Sequence, residues 1–116
     1  MLGLSANLNY YLFNGNVDLR KGIFRLCESI REEMSLDPSD ASNVYMFMSR
    51  NRKVVKILHY ERGFYVLYEK RPVMGRFKKP VFDEFSQCYR IQWSDMAYLT
   101  ESIVVEKMYV SPKEQY

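Results

Sequence analysis

Residues 43–71 read NVYMFMSRNRKVVKILHYERGFYVLYEKR. Three apolar runs stand out, Val44–Met48, Val54–Tyr60 and Phe64–Tyr68, each rich in the β-branched and aromatic residues that strands favour. Their connections are short and polar, Ser49-Arg50-Asn51-Arg52-Lys53 and Glu61-Arg62-Gly63. Gly63 supplies the positive φ that a tight hairpin needs. The pattern predicts a three-stranded antiparallel meander. Alternation puts Val55, Ile57 and His59 on one face of the middle strand, and Val54, Lys56, Leu58 and Tyr60 on the other. Neither face is wholly polar, so one face should rest on a core and the other be partly covered or used for contact.

Upstream, Leu8–Phe13 reads as a short strand and Asn14-Gly15-Asn16 as a turn. Leu19, Ile23, Leu26, Ile30 and Met34 then recur on one face of a 3.6-residue repeat, which predicts a helix with Leu26 and Ile30 buried. Asp18 is its expected N-cap. Asp37-Pro38 should stop it near Ser35. Arg20 and Lys21 fall in its first turn, where the macrodipole favours acids, and Gly22 follows. Two readings stay open there. Either Asp18 caps the helix and neutralises Arg20, or the cations and free N–H groups hold a phosphate or carboxylate.

Downstream, Pro72–Arg76 reads as a loop and Cys88–Trp93 as a strand with one apolar face. Ser94 or Asp95 should cap a short helix to about Ser102, and Val104–Val110 offers a last strand. The expected fold is α+β: a mainly antiparallel sheet of four to six strands, one long helix packed on one face, and a short C-terminal helix. Residues 1–110 read as a single domain and 111–116 as a frayed tail.

Composition narrows the function classes. At 116 residues, 47% apolar and 16% aromatic with ten tyrosines, the chain is too hydrophobic for disorder. No apolar run approaches the ~20 residues of a membrane span, and MLGLSANLNYYLF lacks the layout of a signal peptide, so a cytoplasmic protein with no membrane contact is expected. Cys27 and Cys88 are far apart in sequence and read as reduced thiols. His59, the single histidine, has no nucleophile at a spacing that proposes a triad. The carboxylates show no metal-site placement, and no glycine pattern matches a phosphate loop. A non-catalytic protein with no cofactor and no metal is therefore expected.

The net charge of +3 hides an asymmetry. Residues 50–79 hold ten cations (Arg50, Arg52, Lys53, Lys56, Arg62, Lys70, Arg71, Arg76, Lys78 and Lys79) against Glu61 and Glu69, a net of +8. Such a run, interleaved with Tyr60, Tyr65, Tyr68 and Phe77, suits a polyanion-binding face. Solvated hairpin edges carry Lys and Arg as well.

The stretch Asn14-Gly15-Asn16-Val17-Asp18-Leu19-Arg20-Lys21-Gly22 resembles the G-x-x-D-x-R-K-G signature of the insertion sequence 66 family's second reading frame, the TnpB-type, Orf2-like proteins. Val44-x-x-Phe47, Arg50, Arg52, Lys56-Ile57-Leu58, Gly63-Phe64, Tyr68-x-Lys70-Arg71, Gly75-x-Phe77-x-x-Pro80 and Leu99-x-Glu101-Ser102-Ile103 agree with it. His59-Tyr60 depart from it, and within the C-terminal match Ser102 stands where the family usually has Gly. The resemblance implies an accessory protein of DNA transposition, encoded beside a separate transposase. It makes Asp18, Arg20, Lys21, Arg50, Lys56, Lys70, Arg71 and Arg76 candidate contacts. The expected partners are DNA at the element ends and the transposase of the same element. The competing expectation is a module that bridges transposase subunits without touching DNA.

Overall fold

A computed structural model of the chain describes residues 4–14, 18–20, 22–82 and 86–104. Five strands form the main sheet: β1 (Asn9–Phe13), β2 (Asn43–Met48), β3 (Val55–Glu61), β4 (Phe64–Lys70) and β6 (Cys88–Ile91), in the order β4-β3-β2-β1-β6. The meander of β2, β3 and β4 is present as the 43–71 stretch predicts. Arg62 (φ 48°) and Gly63 (φ 88°) make its second connection, a two-residue turn with positive φ at both positions.

The expectation of a mainly antiparallel sheet needs correction at the centre. β1 pairs with β2 in parallel, from Asn9↔Asn43 to Phe13↔Phe47, so the sheet is mixed. A parallel neighbour requires a long crossover. The 14–42 connection supplies one, with α1 (Ile23–Glu32) in it.

That helix is also shorter than expected. It has 10 residues and starts at Ile23, with Gly22 in the N-cap position and no side-chain cap. Asp18 is therefore not its cap. Leu19 lies in the turn before the helix yet is buried in the same cluster as Leu26, Ile30 and Met34. Its carbonyl accepts a hydrogen bond from buried Lys56 Nζ. The apolar period thus runs past the end of the helix because a lysine ties the preceding turn to the sheet.

Both sheet faces are covered. Phe13, Tyr45, Phe47 and Leu58 pack against Leu26, Cys27 and Ile30 of α1. Tyr10, Leu12, Met46, Val55 and Ile57 face the other way, against Met96 and Leu99 of α2 (Trp93–Glu101) and Phe77. Phe77 belongs to β5 (Arg76–Phe77), which pairs with β7 (Ile103–Val104) in a small second sheet. Gln92 and Asp95 form a reciprocal capping box at the start of α2. β2 is buried from Asn43 to Phe47, as a strand enclosed on both faces must be. His59 is likewise buried, with Nε2 at 3.0 Å from the Ala41 carbonyl and Nδ1 at 3.2 Å from Glu61. The expected last strand beyond Val104 and the 111–116 tail lie outside the described residues.

Candidate nucleic-acid interface

β1 and β2 end side by side at Phe13 and Met48, and the same end of the sheet holds the start of β3 and the finish of β4. The Ser49–Lys53 connection projects from it. Ser49 organises this loop: its N–H donates to the Val54 carbonyl (2.9 Å), and its Oγ accepts from the N–H groups of Lys53 (3.1 Å) and Val54 (3.0 Å). Asn51 Oδ1 accepts from Ser49 Oγ and from the Lys53 N–H. With the turn's polar groups paired internally, Arg50 is left exposed at the tip.

Arg52 takes a left-handed conformation (φ 60°) and binds the loop to β5. Its Nη1 donates to the Phe77 carbonyl (3.1 Å), and the Phe77 N–H donates to the Arg52 carbonyl (2.8 Å). Arg76 is thereby carried to the same end of the sheet.

Two hollows flank the loop and share Ser49 and Arg50. The larger, about 620 Å³, also meets Arg52, Arg76, Lys79 and the apolar Met48, Pro80 and Phe82. The smaller, about 430 Å³, meets Asp18, Arg20 and Arg71. Six cations thus gather from four separate parts of the chain. Arg20 and Arg71 are each held by an acid. Asp18 accepts from the Arg20 backbone N–H (3.0 Å), Nε (3.0 Å) and Nη2 (3.1 Å), so it orients a guanidinium instead of capping a helix. That hydrogen bonding and charge push the Arg20 pKa up. Arg71 Nε donates to Glu69 (2.7 Å), which holds the Glu69 carboxyl below its ordinary range.

Other candidates are placed elsewhere. Lys56 is buried and spent on Leu19, with Glu69 at 3.5 Å. Lys70 donates to Glu101 of α2 (2.6 Å), and Lys78 to the Tyr98 hydroxyl (2.6 Å). Arg62 sits at the opposite end of β3, roughly 20 Å away along a seven-residue strand. Lys53 is exposed at the loop base, and Lys21 lies outside the described residues. Sequence reasoning missed Phe82, Pro80 and Met48 as lining residues. Of the two readings open at Asp18, its pairing with Arg20 is present but the helix cap is not, and the carboxylate closes an Asx-type turn onto the Arg20 N–H instead.

A family model described as "IS66 Orf2 like protein" matches residues 8–109. The chain belongs to the IS66 Orf2-like family. A Sinorhizobium fredii protein, "Uncharacterized protein y4hO", is 29% identical over 80 residues, 69% of each chain. No solved structure matches this Orf2-like chain. Among its described residues no helix is long and apolar enough to cross a membrane, and no group of three His, Cys, Asp or Glu could hold a metal ion.

Proposed function

We propose that this IS66 Orf2-like chain is a non-catalytic accessory protein of transposition that binds DNA in the cytoplasm, beside the transposase of its element. The observation that carries the reading is the gathering of Arg20, Arg50, Arg52, Arg71, Arg76 and Lys79 around one loop at one end of the sheet. Guanidinium groups fork onto phosphate oxygens, and neutralising several phosphates releases counterions. A labelled duplex bearing an element end, titrated at several salt concentrations, tests it. Affinity should fall with a log–log slope of about −0.9 per phosphate neutralised. Arg50→Ala should weaken binding and flatten that slope by about 1, while Arg62→Ala leaves both unchanged. Absence of binding at low salt would reject the reading.

One observation favours a second reading, a module that bridges transposase subunits. β4 is an edge strand of seven residues with no strand on its outer side among the described residues, and Phe64 at its start is exposed. Such an edge can accept another chain. A transposase pull-down that survives high salt and the Arg50→Ala, Arg52→Ala double variant would support it.

A further inference from the structure

The two hollows beside Arg50 differ in kind. The smaller is lined by Asp18, Arg20 and Arg71 together with the aliphatic Leu19 and Val54, and has no aromatic ring among the described residues. The larger is lined by the guanidinium-bearing Arg50, Arg52 and Arg76 together with Met48, Pro80 and the aromatic Phe82. Phe82 is stacked on Tyr89, with centroids 3.6 Å apart and planes 4° from parallel. Phosphate contacts explain the cations, but they give an aromatic ring in the lining nothing to do.

A base has the complementary character, with a flat π-face for an aromatic ring and a flanking phosphate for a cation. In a duplex that face is hidden by stacking. A protein enters the major groove with a protruding helix or ribbon, whereas this site is concave. We propose that the larger hollow receives an unpaired nucleotide of DNA, its base against Phe82 and its phosphate at Arg50. The smaller hollow then takes the next phosphate of the same strand. The inference rests on the DNA-binding reading and deepens it: the ligand is single-stranded or locally opened DNA.

The test uses the full chain and three fluorescent DNAs of one sequence at one salt concentration: a single strand, a blunt duplex, and a duplex with one strand overhanging. The single strand and the overhang should bind about tenfold more tightly than the blunt duplex, the scale of one base–aromatic stack. 2-Aminopurine in the unpaired stretch should change its emission on binding. Phe82→Ala should abolish the strand preference, bringing the single-strand and overhang affinities down to that of the blunt duplex. Arg50→Ala should weaken all three. Loss of the Tyr89 stack could unfold the Phe82 variant, so the strand preference of the unaltered protein is the deciding readout. Equal affinity for all three DNAs would overturn the nucleotide pocket and leave DNA binding standing. Binding to none would overturn both.

Discussion

Arg52 and Arg62 both hold left-handed backbone conformations that favour Gly or Asn. They differ in what the side chain does there. Arg52 reaches β5 and lines the larger hollow, whereas Arg62 is exposed at the far hairpin tip. Arg62→Asn should raise stability by roughly 0.5–1 kcal/mol, because Asn enters this region several-fold more often. Arg52→Asn should lose its Phe77 bond and lower DNA affinity. Chemical denaturation and duplex titration of the two variants separate these outcomes. Titrating residues make a second residue-scale prediction. Hydrogen bonds from Ser39 and Ser42 hold Asp37 and Asp40 below their ordinary 3.8, and Arg71 holds Glu69 below 4.5. Depressed folded-state values stabilise the fold above the unfolded values, and that contribution is lost as pH falls through the folded ones. Burial pushes Tyr45 up to about 12, so its contribution is present below about 10 and lost as pH rises towards 12. Melting temperature against pH should fall below about pH 4 and above about pH 10. Asp37→Asn should blunt the acid limb chiefly, since its charge is only a minor part of what raises Tyr45.

At the scale of elements, β5 and the turn before α1 are short pieces, each anchored by a buried side chain, Phe77 in one case and Lys56 in the other. Phe77 is fully buried and anchors a two-residue strand. Phe77→Ala should cost about 3–5 kcal/mol and release Arg76 from the groove. Lys56→Met should cost about 1.5–3 kcal/mol by removing a charged donor from the Leu19 carbonyl, and should free the turn that carries Arg20. Urea denaturation measures both costs, and proteolysis near residue 20 reports the release. The meander was legible in the sequence because its apolar runs alternate and its connections are short. Burial of Leu26 and Ile30 was legible for a similar reason, since a 3.6-residue period survives whatever precedes it. The start of the helix was not legible. Leu19 fits the period and is buried, but a lysine from β3 fixes its backbone, and nothing local encodes that contact. The parallel pairing of β1 with β2 was available as a strand–helix–strand order. Pairing direction, however, depends on where the helix packs, which periodicity does not specify.

For the whole molecule, the sheet separates charge along its strands. Arg20, Arg50, Arg52, Arg71, Arg76 and Lys79 cluster at one end. Asp37 and Asp40 lie before the start of β2 at the other, where Glu61 and Arg62 also sit. The +8 of residues 50–79 is visible in the sequence, but a run of charge is not a face. Folding buries Lys56, sends Arg62 to the far end, pairs Lys70 with Glu101, and brings in Arg20 from outside the run. Those rearrangements are long-range, so the candidate contacts divide in the structure in a way that their spacing did not indicate.

We expect this one end of the sheet to meet DNA. Backbone amide NMR of the labelled chain, recorded with and without an element-end DNA, tests it most directly. Shift changes should concentrate at Ser49–Val54, Arg76–Phe82 and around Arg20, and fade as salt is added. Changes confined to Arg62–Gly63 or the outer edge of β4, or no change at low salt, would contradict it.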